Sequence, residues 1–410
     1  MRLRALLLLA LAASSSCKKA GDAPGSAVDA GPESHDPLGP PARSEIPTTD
    51  GAIALNNLGG QIDYFEAAIR ARPDLPPNPL LVSLLATRSQ YLGRIADAER
   101  AVAIAEDLVR RVPDKATSYL ARASTRSGMH LFTAALADLA EAERLGAKPA
   151  ALVGPRATLL EGQGDLDGAL ALRQVARKAE PDLVNKTLEA SLLGQMGKIA
   201  EATELFREAP RNYRSVAVFP VAWLFLQEGL FWERVGETAR ARAFYAAAYE
   251  RLPTYGHAAS HLAMMVPPAR GIEILKPIVL ASDDPEFELI LAGRLRAAGQ
   301  AAEADTRIAH VRARYAELVE KHPEAYAEHA GWFLLDEGKD ADRALALAGQ
   351  NLAVRKTEKA YQLALLAALA AGKREEACTL GADASKLPHA SEMLRGIAAD
   401  ACKQPGAAKP

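Results

Sequence analysis

The sequence predicts an all-α protein, an α-solenoid of about nine helix-turn-helix repeats, and three observations lead there. The first is a ladder of glycines, Gly93, Gly128, Gly164, Gly197, Gly236, Gly299, Gly338 and Gly372, at steps of 35, 36, 33, 39, 63, 39 and 34 residues. A recurrence at that period marks a repeat architecture, in which each unit buries its core against its neighbours. The second is a pair of small residues around each rung. Seven positions before come Ala86, Ala121, Ala157, Ala190, Gly229, Ala292 and Gly331; five or six after come Ala98, Ala134, Ala169, Ala202, Ala241, Ala304, Ala344 and Ala377. Small residues at matched places let two helices approach closely. The third is composition. The 410 residues are 49% hydrophobic but only 5% aromatic, rich in alanine, with no alternating strand segment between turn signals.

Each element follows from local signals. A first helix over about Ala52–Arg72 ends at Pro73. In each repeat the glycine ends the first helix, because it adopts positive φ without steric cost. Pro113, Pro181, Pro253, Pro323 and Pro388 then stop the second helix of their units. The long step of 63 is bridged if Val266 takes the glycine place, which puts Ala259 and Gly271 on the two small positions. The repeat body spans 51–388, a capping helix 389–403, and a disordered tail 404–410. The units at 128, 299 and 338 depart from the pattern by a longer turn or a longer second helix.

The pattern resembles the tetratricopeptide repeat, a hairpin of about 34 residues. Ala157, Gly164, Ala169, Pro181 and Gly229, Gly236, Ala241, Pro253 match its spacing without gaps, and the resemblance covers roughly 79–388. It implies a right-handed superhelix whose first helices line a concave groove. Carried over from the family, the lining positions fall six and three residues before each glycine. They single out Arg122, Glu161, Glu233 and Trp332 as partner contacts in an otherwise small and polar groove. The alternative for each is an ordinary solvated or packing residue. The lysine-and-asparagine carboxylate clamp of some chaperone-binding members is not present at these positions.

The N-terminus reads as an export signal. Arg2 and Arg4 precede an apolar run from Ala5 to Ala13, then Ser14-Ser15-Ser16-Cys17. The run is too short to span a bilayer and has the flanks of a secretory leader. It resembles the lipobox of bacterial lipoproteins over 1–17, although Ser14 stands where the family has leucine. The resemblance implies lipidation of Cys17 and a membrane anchor that does not span. Lys18, in place of aspartate, points to the outer rather than the inner membrane. Residues 18–50 hold six prolines, four glycines and few large apolar residues, and read as a disordered linker.

Candidate chemistry is sparse. In an exported chain Cys378 and Cys402 suggest a disulfide stapling the capping helix; the alternative is two buried thiols. His257 and His261, spaced i, i+4, lack a third ligand and read as surface or packing residues, as do His310, His322 and His329. Asp283-Asp284-Pro285-Glu286 reads as a helix start. The apolar stretch Val216–Trp232 reads as repeat core or as an exposed apolar groove for a partner. No phosphate loop or nucleophile motif occurs, and a net charge of −2 without a basic stripe does not favour nucleic acid. No catalytic residue, metal or cofactor is expected. The expectation is a non-catalytic, lipid-tethered protein-interaction scaffold of the bacterial cell envelope, facing the periplasm or the cell surface. A ligand- or glycan-binding accessory of an envelope enzyme and a purely structural lipoprotein stand as alternatives.

Overall fold

The computed structural model describes residues 38–403. The leader, Cys17, the linker before residue 38 and the tail at 404–410 lie outside the described residues. Among the described residues all regular structure is helical. Helix α1 is Gly51–Ala71. Nine hairpins follow. They are α2 Pro79–Leu92 with α3 Ile95–Arg111, α4 Ala116–Gly128 with α5 Phe132–Arg144, and α6 Pro149–Gln163 with α7 Leu166–Ala179. Next come α8 Leu183–Gln195 with α9 Ile199–Glu208, α10 Val218–Val235 with α11 Thr238–Arg251, and α12 Gly256–Met264 with α13 Pro268–Ala281. The last three are α14 Pro285–Ala297 with α15 Ala301–Lys321, α16 Pro323–Leu335 with α17 Ala341–Val354, and α18 Glu358–Ala370 with α19 Arg374–Ala384. Helix α20, Glu392–Ala401, closes the array. Neighbouring helices pack on one another along the array, except that α10 packs on α8 rather than mainly on α9, so the chain is an all-α solenoid of helical hairpins.

Local chemistry sets the boundaries. Asp50, Asn78, Asp165, Asp182, Asp284, Asp340, Thr357 and Ser391 accept from the free amides of the helices they precede. Asp284 accepts from Glu286 N at 2.9 Å with Pro285 opening α14, a helix start as the residues suggest. Val266 does bridge the ladder: α12 and α13 form a hairpin around it, and a Cβ on Gly271 would lie 2.7 Å from Ala263 O.

The small positions Ala157, Ala169, Ala190, Ala202, Ala241, Ala292, Ala304, Ala344 and Ala377 are fully buried. In hairpins 1 and 2 the expected Ala98 and Ala134 are only half-buried while Ala101 and Ala135 are buried, so the register slips there. Gly128 and Gly338 do not take the left-handed conformation expected of them. His130 (φ 56°) and Lys339 (φ 54°) take it in longer turns. At His130 the ring stacks on Phe132 with centroids 5.5 Å apart, and Nδ1 sits 3.1 Å from Glu324 O; these contacts hold a conformation that disfavours side chains. The stretch 216–232 is core or half-buried from Val218 on, with Val216 and Ala217 at its start exposed.

The coil closes on itself. Successive turns of the superhelix touch along a seam in which each early hairpin's turn sits on a loop about six hairpins later. At hairpin 1, Ser282 Oγ donates to Gly93 O at 2.6 Å, and Asp283 accepts from Ile95 N and Ala96 N at 2.5 and 3.0 Å. Glu99 of α3 meets Lys321 Nζ at 2.7 Å and His322 Nε2 at 2.9 Å. At hairpin 2, His130 meets Glu324 in the first turn of α16. At hairpin 3, Lys356 N donates to Gln163 O at 3.1 Å and Arg355 Nε to Gly162 O at 3.3 Å. His389 Nε2 then lies 3.1 Å from Asp167.

Residues 38–50, at the end of the segment read as a linker, continue the seam. Ile46 is buried, Arg251 donates to its carbonyl at 3.1 Å, and Thr49 N donates to Val216 O at 2.7 Å. At the other end Cys378 and Cys402 are disulfide-bonded, with Cα atoms 4.6 Å apart, joining α19 to the residue after α20.

Candidate functional site

On one side the interior is crossed by aromatic contacts: Tyr91 of α2 packs on Phe219 of α10 and Tyr255 before α12, with centroids 4.8 and 4.6 Å apart. Tyr91 Oη also donates to Phe219 O at 2.8 Å. Beside this pillar, four successive first helices, α12, α14, α16 and α18, bring His257, His261, Glu286, His329 and Lys359 to one inner face. Their charges all act on the Glu286 carboxylate. Although the coil surrounds them, their side chains keep open surface: 34% for His329, 35% for Glu286 and 59% for Lys359. The inner face is therefore enclosed and wetted rather than packed.

The groups on it are arranged in pairs. Burial raises Glu286, but the charges of His329, His257, Lys359 and His261 outweigh it and hold the carboxyl below its ordinary range. His329 Nδ1 lies 3.5 Å from Glu286 Oε2. Asp284 is pushed up by burial and by repulsion from Glu286. Enclosure pushes the His257 imidazole down, and its ring stands edge-on to Phe287 at 5.3 Å. His261 Nδ1 lies 3.0 Å from Glu233, which also accepts from Tyr245 Oη at 2.5 Å. Glu328 is only 3% exposed and accepts from Lys359 Nζ at 2.7 Å, Arg355 Nη1 at 3.3 Å and Asn351 Nδ2 at 3.3 Å. Burial would raise its carboxyl, yet Lys359 and Arg355 pull it down to about 2.

The four residues assigned by register are not brought together. Arg122 pairs with Asp138 and Glu106, at 2.7 and 3.0 Å. Glu161 meets Arg173 at 3.2 Å and accepts from Gln195 at 2.8 Å. Both contacts with Asp138 and Arg173, and that of Glu233 with Tyr245, run to the second helix of the residue's own hairpin and clamp it. Trp332 packs half-buried on the C-terminal core, and its indole nitrogen has no partner among the described residues. Of the four, Glu233 alone adjoins the inner face.

Glu286, His329 and Lys359 were not singled out as contacts from the sequence. A signal for them exists in the ladder: Glu286 and Lys359 both stand thirteen residues before their glycines, and His257 and His329 nine before Val266 and Gly338. Reading such columns across repeats, instead of the family's own two positions, points to this face.

Among the described residues no group of three or more His, Cys, Asp or Glu is disposed to hold a metal ion, and no helix is long and apolar enough to cross a membrane.

No protein-family model matches the sequence, and no curated protein matches it. Solved structures are similar in fold. A tetratricopeptide repeat protein from Parabacteroides merdae is 16% identical, covers 66% of this chain and 98% of its own, and has a TM-score of 0.36. Human IFIT1, determined as a dimer with m7Gppp-AAAA, is 15% identical over 88% of this chain and 93% of its own, with a TM-score of 0.44. Yeast Tom70 is 15% identical over 85% of each chain, with a TM-score of 0.35. These likenesses concern the helical-repeat fold alone.

Proposed function

We propose that this chain is a non-catalytic protein-interaction scaffold of the bacterial cell envelope, held at a membrane, the outer one by preference, through a lipid on Cys17. One observation carries the scaffold reading: four successive hairpins present part-exposed polar side chains, Lys359, His329, Glu286 and His257, on a single inner face. A surface assembled from consecutive repeats suits an elongated partner better than a reacting atom. Its strongest ionic groups are mutually satisfied, as Glu328 is by Lys359 and Arg355. The tether reading rests on the leader sequence. Residues 18–37, twenty in number, separate Cys17 from the described body.

A photo-cross-linking residue at position 329 tests the scaffold, with one at the outward Leu280 as control. A discrete partner adduct in the native host is expected from position 329 alone; adducts of equal pattern from both sites, or from neither, overturn the reading. Metabolic labelling with an alkyne fatty acid tests the tether, and label that persists in Cys17→Ser sinks it. The enclosure of the inner face also favours a second reading, a periplasmic ligand- or glycan-binding accessory. A glycan panel retained by the wild-type chain and lost in Lys359→Ala would select it.

A further inference from the structure

We infer that the seam is a clasp: it holds the coil shut along one side and governs whether a macromolecule can reach the inner face bearing Glu286, His329 and Lys359. The inference goes beyond the scaffold reading and does not depend on which partner is bound.

The seam is built for closure. It joins turn to loop at three consecutive hairpins in constant register, with Gly93 against Ser282 and Phe287, His130 against Glu324, and Gln163-Gly164 against Lys356. Two of those turns require glycine for close approach as well as for backbone conformation. A Cβ on Gly93 would run into the Phe287 ring, and one on Gly164 would lie 2.5 Å from Lys356 O. The ladder glycines Gly197, Gly236, Gly299 and Gly372 share the positive φ but face open space. Among the ladder glycines of positive φ, closeness is thus confined to the two that lie in the seam.

The seam is also the interface richest in polar contacts between turns. Beside the buried Tyr91, Ile95 and Phe287, it is held by hydrogen bonds and ion pairs, including Asp283 to Ile95 N, Glu99 to Lys321 and His322, and Arg355 to Gly162 O. Water can replace such contacts at small net cost. Hairpin-on-hairpin packing buries apolar side chains at every step, for which water offers no substitute. Local opening follows the interface with the fewest buried apolar contacts, so the coil parts along the seam before its hairpins unstack. Closed, it admits to the inner face only what passes its ends.

The test reads access directly. His329→Cys is placed in a Cys17→Ser chain with the Cys378–Cys402 disulfide intact, and Leu280→Cys serves as the outward control, since Leu280 is 88% exposed. Each thiol is reacted with N-ethylmaleimide and with a long PEG-maleimide. The seam is then broken by Ser282→Ala with Asp283→Asn, and small-angle scattering follows the coil. With the seam intact, PEG labelling of position 329, normalised to the small reagent, is expected at least tenfold slower than at position 280. Breaking the seam should raise it at least tenfold while the scattering profile expands. Equal PEG rates at the two positions with the seam intact overturn the inference. So does an unchanged PEG rate, or an unchanged profile, after the seam is broken. Should the double variant fail to fold, Gly164→Ala, which leaves every polar side chain in place, is read in the same way.

Discussion

Asp283 caps a helix that begins 188 positions before it: Oδ1 accepts from Ile95 N at 2.5 Å, while Oδ2 accepts from Ala96 N at 3.0 Å. The first residues of α3 have no side-chain cap of their own, because Arg94 occupies the cap position. The negative carboxylate at the positive end of that helix is supplied from another turn of the coil. Secondary structure in hairpin 1 thus depends on the seam.

Ladder glycines should separate into two classes on substitution. Gly236→Ala meets no neighbour and should cost about 1–2 kcal/mol, the penalty of a side chain in the left-handed region. Gly164→Ala adds a collision with Lys356 O and should cost more. Hydrogen exchange distinguishes them: the Lys356 amide, bonded to Gln163 O, should lose protection in Gly164→Ala and keep it in Gly236→Ala.

Glu328 should give the body an acid-side slope. Its carboxyl is held at about 2 against an ordinary 4.5, so the folded state favours the charged form. A depressed carboxyl contributes stability that is complete above pH 4.5 and is lost as pH falls toward 2. Glu328→Gln should remove that slope. At neutral pH it should cost roughly 2–3 kcal/mol, since Arg355 and the more exposed Lys359 lose their partner. Urea melts of both proteins between pH 2 and 7 check the sign.

Glu228 should act in the opposite sense. It is buried on α10, and desolvation pushes its carboxyl up to about 8, so it carries a proton at neutral pH. A raised pKa contributes stability that is complete below pH 4.5 and falls as pH rises through 8. Glu228→Gln, close to isosteric with the protonated acid, should be near neutral at pH 5 and more stable than wild type by on the order of 3 kcal/mol at pH 9. Equal alkaline loss in both proteins would refute the assignment.

Removing the staple should have a local effect. The bond closes a loop of sequence separation 24, worth about 3 kcal/mol in chain entropy. Cys402→Ser should raise hydrogen exchange across Glu392–Ala401 and leave the hairpins from α2 to α17 unchanged. Loss of protection throughout the body would show that the last helix does more than cap the array.

The hairpins were legible because their signals are local and recur. Glycine, two small residues and a closing proline lie within one repeat, so nine noisy copies reinforce one another. His130 and Lys339 escaped that reading because longer turns move the left-handed residue off the glycine. The seam was not legible at all: contacts such as Ser282 to Gly93, 189 residues apart, leave no periodic trace in a single sequence. The site was legible in part. Register points to Glu233, which adjoins the inner face through His261 and also clamps α10 to α11 through Tyr245, and to Arg122 and Glu161, which clamp their own hairpins. Distinguishing a clamp from a contact requires the partner on the second helix, and that depends on three-dimensional packing.

The seam also makes the number of repeats a fixed quantity. An open solenoid gains or loses units freely, because each touches only its neighbours. Here the turn at Gly164 must arrive opposite Lys356, and inserting or deleting one hairpin between them would set every later loop against the wrong partner. Duplication of single repeats is therefore closed to this chain between hairpins 1 and 9. It remains open only beyond the contacts, toward the disulfide-stapled end.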